Sequence, residues 1–212
     1  MSLRLFFKKW GCFMKAIGIA KWFLLKNPSL LKGGIDENLK LNTLLCFSNL
    51  MYFSVFEQEL IDDGFEKFGN VPVVKSVYDE YKYSNLCESI DDESNNLDPK
   101  VLQVLEIINF VYGDFSLSEP TELYELTETE NEYEIEVNNI SHDIKEFMLN
   151  LYNLYKGYNF DNIGVELIHG NRFIYFKDEL ELTEDILNQL KAIEKQNTAT
   201  FIEMIDGELV FS

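Results

Sequence analysis

In the first two thirds of the chain, apolar residues recur mainly at the spacing of an α-helix. Residues 14–26 predict a first core helix that ends before Asn27-Pro28. Residues 37–56 predict a second helix, capped by Asp36, in which leucine and phenylalanine leave almost no polar face. A helix of this kind has to be buried on most sides, so we expect it at the centre of the fold.

Cap and turn residues separate the remaining helices. Asp98-Pro99 indicates a helix start, because aspartate accepts hydrogen bonds from free amides and proline tolerates the first helical position. Ser118 and Ser141 are available as caps for two later helices. An extended segment over residues 64–74 and a polar loop over residues 84–97 complete this part. The helices themselves are predicted over residues 75–83, 98–112, 118–127 and 141–156.

A strand period of two appears later in the chain. Residues 132–137 alternate strictly and predict a half-buried strand with glutamates on its outer face. Two hairpins are then predicted, and Asp206-Gly207 in the second is a favoured two-residue turn. A helix over residues 184–196, capped by Thr183, separates them. The hairpin strands are predicted over residues 163–168, 172–176, 199–205 and 208–211.

These patterns predict an α+β protein with a mainly α-helical body and a smaller C-terminal part that contains β-hairpins. We expect a basic extension over residues 1–13, the helical domain over residues 14–137 and the C-terminal α+β part over residues 138–212. With 46% apolar and 14% aromatic residues, the chain has enough apolar material for a large core.

Charge narrows the range of partners. The chain has 18 Lys and Arg against 37 Asp and Glu, for a net charge of −19. Because such a chain repels the phosphate backbone, direct nucleic-acid binding is not expected, and a basic or apolar protein partner is favoured. The apolar run over residues 10–25 is shorter than the ~20 residues of a spanning helix, so no membrane span is expected.

The chain has none of the sequence signatures of nucleotide binding, of a nucleophilic serine or of a zinc protease. His142 and His169 are predicted at exposed positions, and the three cysteines lie far apart without a metal-binding spacing. We therefore expect no enzyme activity, no cofactor and no metal, and a cytoplasmic location fits this cysteine usage.

Residues 119–136 contain eight glutamates and no basic residue. This run is either a solvated face or a docking surface for a basic partner, in which case Glu130 and Glu134 are candidate contact residues.

Four segments, in order, resemble the Panacea (SocA-like antitoxin) family. Residues 14–24 resemble its opening helix, and residues 39–47 (LKLNTLLCF) are similar to its central LKLQKLLYY helix. Residues 65–78 resemble its Gly-Pro-Val element and the helix after it, and residues 105–127 its later helix and Tyr-Gly turn. Asn42, Thr43, Phe68, Val71 and Glu128 depart from the family pattern.

The resemblance implies a non-enzymatic antitoxin that binds a toxin protein directly and, in SocA-like members, delivers it to a protease. It implies a contact surface around the family's most distinctive element, at Phe68, Pro72, Val73 and Tyr78. The alternative for these four residues is that they pack in the core.

The leading hypothesis is therefore an antitoxin that neutralises a cognate toxin with a basic surface. The alternative is a phage or mobile-element acidic inhibitor of a host nucleic-acid-binding defence protein, of the anti-CRISPR or DNA-mimic type. A membrane-surface role for the basic, aromatic extension is a further and less favoured binding hypothesis.

Overall fold

The computed structural model describes residues 14–69, 71–84, 86, 97–114, 134–135, 140–194 and 199–212. The chain divides into two compact units, of which the first ends at Gly157 and the second begins at Tyr158. The first unit, the helical body, is mainly α-helical, and the C-terminal unit is built on strands. The predicted α+β class is confirmed.

The helical body is arranged around one long helix, α2, as the sequence predicts. Every residue of α2 from Leu41 to Tyr52 is buried, and the helix packs against α1, α3, α4, α5 and β2. The elements of the body are α1 (Ala16–Lys26), a 3-10 helix (Pro28–Lys32), α2 (Ile35–Phe56), β1 (Phe65–Phe68), β2 (Val71–Val73), α3 (Lys75–Tyr83), α4 (Pro99–Tyr112), β3 (Glu134–Ile135) and α5 (His142–Tyr155).

Two predicted helix caps are confirmed and one is wrong. The Asp98 carboxylate accepts from the Lys100 amide, and the Ser141 hydroxyl accepts from the Ile144 amide. Asp36 is not a cap, because α2 already begins at Ile35 and Gly34 occupies the N-cap position. Asp36 lies in the first turn instead, where a negative charge still interacts favourably with the helix dipole.

A small antiparallel sheet, in the order β2-β1-β3, lies in the body. Gly69, in the turn after β1, has φ 63°, a left-handed conformation that a glycine adopts without strain. The predicted strand over residues 132–137 is described only at Glu134–Ile135, which pairs with β1.

The C-terminal unit contains β4 (Ile163–Ile168), β5 (Asn171–Phe176), α6 (Glu184–Lys191), β6 (Ala199–Ile205) and β7 (Glu208–Phe211), in the sheet order β4-β5-β6-β7. Both predicted hairpins are present, and α6 connects the parallel strands β5 and β6. Positive φ angles at both central residues of each turn, 52° and 81° at His169-Gly170 and 51° and 84° at Asp206-Gly207, are those of type I′ turns. The core consists of Phe173, Leu180, Ile186, Leu190 and Ile202.

The predicted α6 is confirmed at its start and too long at its end. The Thr183 hydroxyl accepts from the Ile186 amide, as expected for a cap. The helix ends at Lys191, where the amides of Ala192 and Ile193 donate to carbonyls only three residues earlier. Beyond this end, the carbonyls of Ile193 and Glu194 accept hydrogen bonds from the buried Asn171 side-chain amide, at 3.4 and 3.1 Å.

The boundary between the units lies later than residues 137/138, where the sequence analysis placed it. The reason is α5, whose buried side chains Ile144 and Met148 belong to the body, where the helix packs against α2. The change of period at residue 132 marks the small sheet of the body and not the start of a new unit. The predicted extension over residues 1–13, most of the loop over residues 84–97 and the helix over residues 118–127 lie outside the described residues.

Candidate partner-binding surface

Three asparagines on α2 lie on one face of the helix and are buried. Asn38, Asn42 and Asn49 are spaced by four and seven residues, which places them on one stripe. A buried amide is costly unless it is hydrogen-bonded, so each needs partners from a neighbouring segment. The prediction of an almost wholly apolar α2 is wrong at this stripe, although the spacing of the asparagines is visible in the sequence.

Asn42 fixes the start of α3 against α2. Its side-chain nitrogen donates to the carbonyl and side-chain oxygens of Asn38, both at 3.0 Å, and its Oδ1 accepts from the Val74 amide at 2.8 Å. The Asn38 amide in turn donates to the Tyr78 carbonyl at 3.0 Å. The chain from β2 into α3 is therefore held at both ends by buried side-chain amides.

Asn49 holds the segment that leads into β1. Its Oδ1 accepts from the amides of Leu60 and Ile61, at 2.8 and 3.1 Å. From the other side, the Asp63 carboxylate accepts from the Ala16 amide at 3.0 Å. The β1–β2 hairpin thus starts and ends at anchored residues.

The surface that these anchors hold is aromatic. Phe68 on β1 is 46% exposed, and its ring lies 5.2 Å from the ring of Tyr78 on α3, tilted by 35°. Tyr83, at the end of α3, is 72% exposed. The ammonium of Lys82 lies 5.7 Å from the Tyr78 ring centre and 4.9 Å from that of Tyr83. We call Phe68, Tyr78, Lys82 and Tyr83 the aromatic surface.

Lys82 stays charged within this surface. Its side-chain hydrogen bond with Tyr83, together with the nearby Tyr78, raises the pKa of the Lys82 ammonium above its ordinary value. A cation over the face of an aromatic ring is attracted by the ring quadrupole, which restrains all three side chains. The surface therefore combines rings available to an apolar partner with one positive charge.

The four residues that the resemblance implied as a contact surface divide into two pairs. Phe68 and Tyr78 meet at the surface, as described above. Pro72 and Val73 are buried, so they pack in the core, which was the alternative given for them. Pro72 has no amide hydrogen to donate, and it lies on an outer strand of the small sheet, where a proline is tolerated.

The two candidate glutamates are placed differently. Glu134 lies on β3, in register with Glu66 of β1, so two acidic residues occupy opposite positions on neighbouring strands. Glu130 lies outside the described residues.

Other chemistry in the described part of the chain is sparse. Cys46 is fully buried in α2, and burial raises the pKa of its thiol to about 12, which makes it unreactive at neutral pH. His142 and His169 are exposed. In the described ranges, no three His, Cys, Asp or Glu side chains are grouped as metal ligands.

None of the helices in the described part of the chain has the length and apolar content needed to cross a membrane.

No protein-family model, curated protein or solved structure matches this chain. The resemblance to the Panacea family therefore stays a prediction.

Proposed function

We propose that this protein is an antitoxin-like binding protein that neutralises a cognate toxin protein by direct contact, in the cytoplasm, through the aromatic surface. The observation that carries the proposal is the pair of adjacent rings of Phe68 and Tyr78 beside the exposed Tyr83. Aromatic residues of this kind dominate the energetics of protein interfaces.

The support beneath the surface strengthens the proposal. Val74 and Tyr78, which flank the first turn of α3, are bonded to buried asparagines of α2. Rings held in place before binding lose little conformational freedom when a partner packs on them, and this loss is one of the main costs of association. The aromatic surface therefore suits a partner that docks without rearranging the body.

Charge favours a basic toxin. A net charge of −19 attracts a positively charged protein at long range and raises its association rate, while repelling nucleic acid. Within the aromatic surface, the Lys82 ammonium is the one positive charge, and an acidic or aromatic side chain of the toxin would be complementary to it. We expect no direct contact with nucleic acid.

The test uses a matched pair of exposed phenylalanines. The candidate toxin is the product of the reading frame next to that of this protein. It is expressed with and without this protein while growth is recorded, and the dissociation constant of the purified pair is measured. We expect Phe68→Ala to weaken binding by about tenfold to a hundredfold and to abolish rescue. The control is Phe211→Ala, since Phe211 also lies on a strand and is 42% exposed. A neighbour that is harmless alone, or a Phe68→Ala variant that rescues fully, would contradict the proposal.

The acidic-inhibitor alternative is favoured by one observation in the small sheet. Glu66 and Glu134 occupy paired positions on neighbouring strands, so two acidic residues lie at one place in the sheet, and a basic partner is attracted to a concentration of negative charge. This alternative expects a nucleic-acid-binding partner that is lost at high salt and weakened by Glu130→Lys and Glu134→Lys. Indifference of binding to both variants would remove it.

A further inference from the structure

Among the described strands, β4 is an outer strand of the sheet of the C-terminal unit. β4 is six residues long and pairs with β5 alone among the described strands. A strand with one free side offers a row of amides and carbonyls to another chain. This feature is independent of the aromatic surface and of the proposed function.

The hairpin register identifies which groups point outward. The two-residue turn at His169-Gly170 is closed by the pair Ile168 and Asn171, and in such hairpins the closing pair exchanges both hydrogen bonds. Along β4, residues whose amide and carbonyl bond to β5 alternate with residues whose groups point outward. The pair Asn162 and Lys177 continues this series, since the Lys177 amide donates to the Asn162 carbonyl at 2.8 Å. The amides and carbonyls of Val165 and Leu167 and the carbonyl of Ile163 therefore point away from β5, while the Ile163 amide donates to the Phe160 carbonyl.

Outer strands are usually protected by proline, by charged side chains, above all lysine, or by a bulge. β4 has no proline, lysine or bulge, and its one charged residue is Glu166. The outer strand β2 of the body, in contrast, contains Pro72. β7 is only four residues long. Leu167 on β4 is 59% exposed, so an apolar side chain accompanies the outward amides.

We infer that β4 pairs with β4 of a second copy of this chain, antiparallel about a two-fold axis at Val165, to form one continuous sheet. In this register the outward groups of Val165 meet those of the second copy's Val165. Leu167 lies opposite Ile163 of the second copy, and the same contact forms again on the other side of the axis. The pairing is therefore self-complementary, as a two-fold interface requires.

The glutamate of β4 selects this register over its neighbours. With the axis at Val165, Glu166 lies opposite Gly164 of the second copy, a residue without a side chain. Shifting the pairing by two residues in one direction places Glu166 of one copy opposite Glu166 of the other, and like charges directly opposite each other are destabilising. The shift in the other direction places Leu167 opposite Asp161 and loses its apolar contact.

Charge predicts the sign of the salt dependence. Two copies, each at −19, repel each other, so screening by salt strengthens the dimer. Attraction to a basic toxin has the opposite dependence, because screening weakens it. The failure of one inference is therefore distinguishable from the failure of the other.

The test is sedimentation equilibrium of the full chain at low and high salt. We expect a dimer that tightens with salt and that Leu167→Lys weakens by about tenfold or more, since a lysine on an outer strand opposes pairing. Val165→Pro should do the same, because it removes an outward donor and keeps the inner bonds. The matched control is Ile205→Lys, since Ile205 is 47% exposed on β6, away from the outer side of β4. It should leave the dimer unchanged.

Hydrogen exchange gives a second readout that a folding defect cannot imitate. The outward amides of Val165 and Leu167 should become protected as protein concentration rises, while the inward amides of Gly164 and Glu166 should be protected throughout. A chain that is monomeric at high concentration and high salt would overturn the inference. So would a dimer that Ile205→Lys disrupts and that both β4 variants leave intact.

Discussion

The helical body and the C-terminal unit are stabilised by hydrogen bonds of different reach. In the body, Asn27 donates to the Gly113 carbonyl across 86 residues of sequence, and Asn42 accepts from Val74 across 32. In the C-terminal unit, β4 and β5, and likewise β6 and β7, pair directly across two-residue turns. The body thus relies on single buried amides between distant segments. The C-terminal unit relies mainly on strand ladders, two of which are set by local turns, although the parallel β5–β6 ladder and the buried Asn171 amide also connect distant segments.

The difference identifies where each unit is sensitive to substitution. A buried amide that loses its partner leaves an unsatisfied group at a cost of about 1–3 kcal/mol, and no neighbouring bond replaces it. A strand ladder spreads the same function over many bonds, so its weak points are the turns and the small core. The aromatic surface belongs to the body and depends on the first kind of contact.

The largest effect should come from the core of the C-terminal unit. Phe173→Ala removes a buried ring from a cluster of five buried side chains, and we expect it to lower the free energy of unfolding of this unit by about 3–5 kcal/mol. Hydrogen exchange followed by mass spectrometry should show loss of protection after Tyr158 and retained protection in α2. Equal loss of hydrogen-exchange protection in both units would mean that they unfold together, and the difference in sensitivity between the units would then not hold.

The next effect tests the buried amides of the body. Asn42→Ala leaves the Val74 amide without its acceptor and the Asn38 carboxamide without its donor, and we expect a loss of about 2–4 kcal/mol by urea unfolding. Ser48→Ala is the matched control, because Ser48 is equally buried and donates only within its own helix, to Leu44. Equal effects of the two changes would show that the long-range bonds have no special role.

A smaller effect tests the turns of the C-terminal unit. Gly207 has φ 84°, and an alanine there is strained by about 1–2 kcal/mol even though no atom lies within 4 Å of the new Cβ. Gly157→Ala has the same open space without the positive φ, so thermal unfolding should show almost no change. If both variants lower the melting temperature equally, the left-handed conformation of Gly207 does not stabilise the pairing of β6 with β7.

The smallest effect on stability at neutral pH concerns Cys46. Burial raises the pKa of its thiol from 9.0 to about 12, so the folded state retains a proton that the unfolded state releases above 9. Stability from the neutral thiol is therefore fully present below pH 9 and falls as pH rises from 9 towards 12. Peptide mapping after alkylation at pH 8 should find Cys46 unmodified in the folded protein and modified in urea. Rapid modification without urea would show that the body opens locally around α2.

The sequence predicted those elements whose signals are local. Asp98, Ser141 and Thr183 cap the helices that they were expected to cap, because the acceptor and the amide are only two or three residues apart. The Asp206-Gly207 turn was predicted for the same reason. The end of α6 was missed because the sequence there has no local stop signal, and the segment after the helix is bonded to Asn171, on a strand more than twenty residues earlier.

The candidate site shows the same division. Phe68 and Tyr78 could be singled out from the sequence, but their contact depends on how the hairpin and α3 are set against α2. Pro72 and Val73 could not be separated from them, because apolar residues in one short segment look alike until their neighbours are known. The asparagine stripe on α2 was visible as a spacing, although its partners were not.

What the sequence determined by itself is the presence of the six described α-helices, the two hairpins of the C-terminal unit, the acidic charge and the central position of α2, since each follows from periodicity, caps, turns or composition. The tertiary structure decided that α5 belongs to the body, that two of four candidate contacts are buried, and that β4 is an outer strand among the described strands. These depend on pairs of residues far apart in the chain, and the free energy of such contacts arises only when the segments meet.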